Sequence, residues 1–486
     1  GALGAACYDR AIERMMLQLK SFGYNCIRCS HNPYSDSFAR IADRVGMLVV
    51  DELTDKWSDN DYWGGRQPFT HIWHKLITEW IKRDRNRPSI ILWSLGNELQ
   101  IREGWAGFEG TNDWGITTYN IFNQLVKRWD NTRLTTVAMF PARAGAITRH
   151  DKEFNDYLVP PELACATEVA SFNYQSDKYD AYLKYKPDLI LFQSEAETSN
   201  LLQPYYNMDR KRTVGMAYWG SAEYWGESNK WPKKGWNYSF FDHTMRPYPQ
   251  AYLIKSAFMP EIPEVHIGVV DAAGAESVNW NDVIVGRMAL NECWNHTPGS
   301  RRSLFTFTNA HSVELLVNGQ SMGIQENDTT RANLRNMIYW KDVPYGNGGS
   351  VVAIARDKSG KEVARHRIET AGKAVALRIE AETPTDWKAD GMDLQYINVT
   401  VIDKKGRPVW DYNEPLTLQM EGAARLVALD NGDHYTDELF HGITSKRMYQ
   451  GRMQIILRSD QEAGNVTVKI SSAGLKGTLR LKTIKE

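Results

Sequence analysis

Carboxylates set at the ends of apolar runs are the residues of this chain with the clearest chemical use. Ile90-Ile91-Leu92-Trp93-Ser94-Leu95 runs into Gly96-Asn97-Glu98, and Leu189-Ile190-Leu191-Phe192 runs into Gln193-Ser194-Glu195, with Glu197 two residues on. Asp51 and Glu52 follow Met47-Leu48-Val49-Val50, and Glu223 and Glu227 follow the run from Gly215 to Trp219. Any one of these acids alone is most simply a solvated or ion-paired group. Two of them across the mouth of a parallel barrel would serve glycosyl transfer: one carboxyl protonates the leaving oxygen while the other attacks or activates water. Glu98 stands out because an apolar strand delivers it behind an asparagine amide. A Schiff-base lyase is the second chemistry. It needs a lysine at a strand end, and none of the predicted strand ends carries one. A metal hydrolase would want clustered histidines, but His71 and His74 fall on a helix ahead of the Ile90 strand, on the wrong side of a barrel.

The elements that must position these acids are legible as alternating helices and buried strands. Asp9 to Phe22 has helical spacing and stops at Gly23; further helices are expected near Ser37–Val45 and Thr70–Arg83. Strand-like runs lie near residues 27, 49, 92, 136, 171, 191 and 217. Buried, non-alternating strands between helices mean a parallel sheet. An open doubly wound sheet is the structural alternative, but no glycine-rich phosphate loop follows the first run. A (β/α)₈ barrel needs eight strands over ~250 residues. Seven are counted and the chain opens on a loop and a helix, so the expected fold is a TIM barrel without its first strand.

From about residue 263 the texture turns to short β-rich runs bounded by Gly, Asn and Asp. Asn318-Gly319, between Val313–Val317 and the next apolar run, is a strong hairpin signal. The resulting expectation is α/β plus all-β: a barrel over residues 1–262, then immunoglobulin-like β-sandwiches over 263–372 and 373–486.

Composition bounds the partners. The 486 residues carry 58 Lys and Arg against 59 Asp and Glu, which gives no global attraction to nucleic acid or to an anionic membrane. No apolar run approaches the ~20 residues that span a bilayer. Five cysteines (Cys7, Cys26, Cys29, Cys165, Cys293) make no disulfide framework, and the Cys26-x-x-Cys29 pair, on a strand, reads as packing. The 17 Trp and 23 Tyr fit either a large core or a cleft whose rings stack on sugars.

The segments RCSHNPYSDSFARIADRVGMLVVDE (28–52), RDRNRPSIILWSLGNE (83–98) and LILFQSE (189–195) closely resemble glycoside hydrolase family 2, the β-galactosidase and β-glucuronidase family. TNAHSVELLVNGQSMG resembles the C-terminal immunoglobulin-like modules of many bacterial members. The resemblance implies a retaining, exo-acting β-glycosidase, first a β-galactosidase and alternatively a β-glucuronidase. The rival from another class is a non-catalytic carbohydrate-binding or scaffold protein. Carried over by motif, Glu98 is the acid/base, Glu195 the nucleophile, and Asn97 the amide that holds the sugar 2-hydroxyl; Tyr174, Trp219, Arg28, His31 and Asn32 are substrate-site residues.

Three departures from the family pattern bear on these expectations. A jelly-roll domain and a sandwich precede the barrel in family members and are not seen, so the chain reads as a C-terminal portion whose parent supplies those domains. Trp231-Pro232-Lys233-Lys234-Gly235 stands where the glucuronidase branch carries N-x-K, which lowers a uronic-acid substrate. The histidine of a magnesium motif is missing from Asp51 to Trp57, so no metal or cofactor is expected. A carbohydrate substrate, no nucleic acid, no membrane span and a periplasmic or secreted bacterial location complete the expectation; self-association into a homo-oligomer is left open.

Overall fold

The helices begin and end where short-range chemistry dictates. In the segment Asp36–Val45 the Ser35 side chain caps the first turn by accepting from the Phe38 amide (3.2 Å), and Gly46 closes the last turn at φ 69°. In the computed structural model, which describes residues 1–57, 68–99, 115–140, 159–228, 230–271, 276–280 and 283–485, the helices are α1 (Asp9–Ser21), α2 (Asp36–Val45), α3 (Phe69–Asp84), α4 (Ile116–Trp129), α5 (Glu162–Ala166), α6 (Tyr179–Tyr185), α7 (Gln203–Asn207) and α8 (Ala251–Phe258). The chain divides into two compact units.

One unit, residues 24–219 with 277–285, is a nearly closed parallel barrel. Its strands are β1 (Cys26–Arg28), β2 (Leu48–Glu52), β3 (Ile90–Asn97), β4 (Leu134–Met139), β5 (Val169–Asn173), β6 (Leu191–Ala196) and β7 (Thr213–Tyr218), paired in sequence order. These are the seven strands expected of the TIM barrel. Cys26, Val50, Leu92, Val169, Phe192 and Ala217, one from each strand but β4, form a single apolar cluster, as the side-chain layers of a filled barrel require. Burial raises the Cys26 thiol to about 12, which suits packing and not redox work.

The run predicted at 189–192 is displaced in the structure. β6 starts at Leu191 and extends to Ala196 because it pairs Glu195 with Asn173 on β5 and Ala196 with Tyr218 on β7. Glu195 is therefore inside the strand, and Glu197 lies beyond it.

The other unit, residues 1–23, 220–276 and 286–486, holds two sandwiches. In the first, the sheet of strands 265–270, 290–291, 301–308 and 337–344 closes on the sheet of strands 312–317, 320–326, 350–356 and 362–369. Trp294, Leu304, Trp340, Val351 and Ile368 belong to its core. Asn318 and Gly319 both take positive φ (52° and 83°), the two-residue hairpin turn that their identities predict. In the second sandwich, strands 374–381, 394–403, 424–430 and 452–459 face strands 415–422, 445–447, 465–472 and 475–482 over a core built on Trp387. α1 joins this unit through Arg10, which pairs with Asp393 (2.8 Å) and Asp386 (3.1 Å), and through Arg14, whose guanidinium forks onto Glu382.

Candidate active site

β3 ends in a distorted turn that only its sequence permits. Its register with β4 shifts between Ser94 and Asn97, and such a bulge re-aims the residues after it. A Cβ on Gly96 would lie 2.8 Å from Trp57 Nε1 and 2.9 Å from Leu99 Cδ1, so any side chain there would force one of these to shift. Glu98 follows at φ 50°, its amide donating to Ala138 O (2.7 Å). Tyr174, just past β5, also takes positive φ (59°), its amide donating to Glu195 O (2.8 Å). Left-handed backbone at two bulky side chains costs on the order of 1–3 kcal/mol each and is found where the surroundings hold a site in place.

These ends converge on a buried array centred on Arg28. Its Nη1 donates to Glu195 Oε1 (2.7 Å), and its Nε (3.0 Å) and Nη2 (2.7 Å) donate to Glu52 Oε2. Nη2 also donates to Asn97 Oδ1 (3.0 Å). Glu52, wholly buried, takes Ser94 Oγ at 2.6 Å and lies 2.6 Å from His31 Nδ1. Asn173 donates to Asn97 Oδ1 (3.0 Å) and Glu98 Oε1 (3.3 Å), while its own Oδ1 accepts from Ser194 Oγ (2.7 Å). The Tyr174 hydroxyl donates to Glu195 Oε2. The Trp219 ring lies parallel to His31, with centroids 5.3 Å apart.

The electrostatics follow from burial and from Arg28. Burial alone would raise the Glu52 carboxyl, but Arg28 and His31 hold it below its ordinary value. Burial would lower His31, and its bond to Glu52 raises it instead. Glu195 is pushed up by burial and by the charge of Glu98, against the downward pull of Arg28 and His31. Burial and then the Glu195 charge push the Tyr174 phenol well above 10, so it stays a donor. The array thus offers one carboxylate held by a guanidinium and a phenol, and a second carboxyl met by an amide.

Of the residues singled out from the sequence, Arg28, His31, Asn97, Glu98, Tyr174, Glu195 and Trp219 lie together, and Asn32 does not. Asn32 is exposed and turns its amide onto Pro33 O (3.0 Å). Glu197 accepts from Asn200 (2.7 Å), outside the array. Asp51, one residue before Glu52 and so on the opposite face of β2, takes Trp80 Nε1 at 2.6 Å. Glu223 belongs to a separate cluster with His243 and His434. Sequence reasoning named Glu52 only beside Asp51 and gave it no role. It gave none either to Asn173 or to Asp55, whose Oδ1 accepts from Asn97 Nδ2 (3.1 Å). Strand alternation was the available signal for Glu52, because it puts that carboxylate on the same face of β2 as the buried Val50.

The chain is similar to known proteins over almost its whole length. Residues 3–214 match the TIM barrel domain of glycosyl hydrolases family 2, and residues 377–479 match glycoside hydrolase family 2 C-terminal domain 5. Residues 299–364 match a domain of unknown function, DUF4982. Beta-galactosidase BoGH2A of Bacteroides ovatus is 26% identical over 98% of this chain and 59% of its own length. A putative beta-glucuronidase of Formosa agariphila is 25% identical over 100% of this chain and 47% of its own. The crystal structure of a glycosyl hydrolase family 2 member from Bacteroides cellulosilyticus superposes with TM-score 0.85 at 27% identity, over 100% of this chain and 61% of that one. The chain therefore spans about half to three-fifths of the length of these relatives.

Proposed function

The chain belongs to glycoside hydrolase family 2, and from that premise we propose that it hydrolyses terminal β-glycosides with retention, Glu195 acting as nucleophile and Glu98 as acid and then base. The observation that carries the reading is the pairing of two buried carboxyls with unlike partners. Glu195 has Arg28 Nη1 at 2.7 Å and the Tyr174 hydroxyl on its other oxygen, whereas Glu98 meets the neutral Asn173 amide at 3.3 Å. Arg28 and Tyr174 hold the two Glu195 oxygens in place for attack, and the proton the reaction needs is given to Glu98, the carboxyl that the motif matches to the family's acid/base.

In the first step Glu195 attacks the anomeric carbon while Glu98 gives its proton to the leaving oxygen. In the second, Glu98 takes a proton from water, which displaces Glu195. As Glu195 loses charge to the new ester bond, Arg28 keeps Glu52 as a counter-charge (2.7 Å), so the guanidinium is never left unpaired. Asn97 is placed by Arg28 and Asn173 to meet the sugar 2-hydroxyl, a contact that tightens as the ring gains oxocarbenium character. Trp219, braced by His31, offers a flat face to the sugar.

A β-galactoside is the substrate favoured. A glucuronide needs a cation for its carboxylate, and Pro232 stands where the glucuronidase branch carries the asparagine of N-x-K. Among the described residues of the barrel unit, Arg28 and Lys56 are engaged by carboxylates. A panel of aryl β-glycosides (galactoside, glucuronide, glucoside, mannoside) tests the reading with this chain and its Glu195→Gln variant. Galactoside turnover abolished by the substitution is expected. Turnover of none by this chain, or equal turnover by the variant, would favour the non-catalytic carbohydrate-binding alternative.

A further inference from the structure

A second buried cluster of ionisable groups, inside the unit that holds the sandwiches, takes no part in the chemistry above. Glu223, in the segment after β7, His243, and His434 in the second sandwich place their ligand atoms within 4.8 Å of one another, all three buried. His243 Nδ1 and His434 Nδ1 each lie 3.1 Å from the same oxygen, Glu223 Oε2. We propose that Glu223, His243 and His434 form a structural metal site for a zinc-type divalent cation.

The orientation of two of the three donors supports this, while the far nitrogen of His434, Nε2, is buried without a hydrogen-bond partner among the described residues. Metal-binding histidines usually donate their far N–H to a carboxylate, which turns the near lone pair toward the ion. His243 does so: its Nε2 is 2.9 Å from Asp430 Oδ1. The carboxylate is oriented too, since Glu223 Oε1 accepts from the Tyr248 hydroxyl (2.7 Å) and leaves Oε2 for the cluster. With bonds of about 2.0–2.2 Å in a tetrahedral shell, neighbouring ligand atoms stand ~3.3–3.6 Å apart, and the two spacings to Oε2, 3.1 Å each, need open only a few tenths of an ångström to admit the ion. Two imidazoles and one carboxylate are the donor set of zinc more than of magnesium or calcium, which prefer all-oxygen shells. Trp225 and Phe440 stand beside the His243 ring, which keeps the surroundings apolar.

The backbone is braced for the same geometry. The Glu223 amide donates to Phe241 O (2.9 Å), two residues before His243, and the Lys234 amide donates to His434 O (3.0 Å). Gly432, between Asp430 and His434, has φ 76°, and a Cβ there would approach Asp242 Oδ2 to 3.1 Å. A cation would thereby pin the turn after strand 424–430 to the chain segment 220–243.

Among the described residues a second histidine–carboxylate group in this unit, His266, Glu292 and His366, fails the test of an available lone pair. The Ile267 amide donates to His366 Nδ1 (3.1 Å), so the neutral ring carries its proton on Nε2, the nitrogen that faces Glu292. That ring offers the cluster no lone pair.

The 486-residue chain, stripped with a chelator and titrated with Zn²⁺ or Co²⁺ alone, tests the proposal. Expected are one zinc per chain by elemental analysis, a visible absorption band with cobalt saturating at one equivalent, and a higher Tm on zinc addition. His434→Gln should remove the stoichiometric binding. Asp430→Asn, which spares all three ligands, should weaken it about 10–100-fold, and His366→Gln should leave it unchanged. No cobalt band and no zinc uptake by the unsubstituted chain would overturn the site without recourse to any variant, and would leave the cluster as an ion-paired one. Stoichiometric uptake that survives both His434→Gln and Asp430→Asn would overturn it equally.

Discussion

Replacing Glu52 with glutamine tests how far the proposed nucleophile depends on a carboxylate that never touches the sugar. Glu52 accepts from Arg28 Nε (3.0 Å) and Nη2 (2.7 Å) and from Ser94 Oγ (2.6 Å), and it faces His31 Nδ1 at 2.6 Å. Glutamine keeps one carbonyl oxygen for Arg28 and Ser94 but loses the charge and turns an N–H₂ toward His31. Breaking a buried ion pair from one side costs about 3–5 kcal/mol. Arg28 would still have Glu195 on Nη1, so Glu52→Gln should fall at or just below the low end, about 2–3 kcal/mol. Glu52→Ala, which also opens a cavity, should cost about 3–5 kcal/mol. With one counter-charge gone, Arg28 draws on Glu195 alone and shifts toward it, which holds the carboxylate back from attack. A loss on the order of 10²-fold in kcat is expected, the scale of a roughly 1 Å misplacement. Urea unfolding at pH 7 reads the first quantity, and kcat and KM on an activated aryl β-glycoside read the second. An unfolding free energy within about 0.5 kcal/mol of the unsubstituted chain, or a loss confined to KM, would refute the reasoning.

Three further outcomes are expected. Glu98→Gln should slow glycosides with poor leaving groups severely while sparing the first step for activated aryl leaving groups, which need no proton; equal losses on both would contradict the role of Glu98. Gly96→Ala should cost about 1–3 kcal/mol and lower kcat with it, because the new methyl meets Trp57 and Leu99; an unfolding midpoint unchanged in urea would count against the close fit of that turn. The third concerns acid stability of the first sandwich. Burial, and then the charge of His266, lowers His366 from its ordinary value to about 4, and Glu292 is held at about 2, where burial would raise it but His266 prevails. Tyr252 stacks on His266, and Arg452 adds its charge near Glu292. A histidine with a depressed folded pKa contributes its stability above about pH 6.5 and loses it as pH falls from there to about 4; for Glu292 the loss runs from about 4.5 toward 2. His366→Gln should therefore flatten the stability curve between about pH 6.5 and 4, by at most about 3 kcal/mol, in a pH series of urea unfolding; parallel curves would contradict it.

Local signals were the legible part of this chain. The Asn318-Gly319 turn, the seven apolar runs of the barrel and the Gly96-Asn97-Glu98 strand end are all short-range features, and the structure places elements at each. The limits of β6 were not legible, because pairing with β5 and β7 sets them and apolarity alone stops at Phe192. Asn32 shares its motif with Arg28 and His31 but is turned outward by its bond to Pro33 O, an orientation that residue type does not encode. Glu52 and Asp51 are adjacent acids at one strand end, and only the pleat of β2 separates their roles. The Glu223–His434 contact joins residues 211 apart, from two elements whose association no local pattern announces.

The identity and action of the proposed nucleophile are open to one direct measurement. A 2-fluoro aryl β-glycoside with an activated leaving group should form the first ester and stall, and peptide mass mapping of the trapped chain then locates it. The sugar is predicted on Glu195, with Glu98→Gln still trapped and an unfluorinated substrate giving product of retained configuration; retention also requires the two carboxyls to work about 5–5.5 Å apart. An ester on Glu197, or product of inverted configuration, would contradict the account.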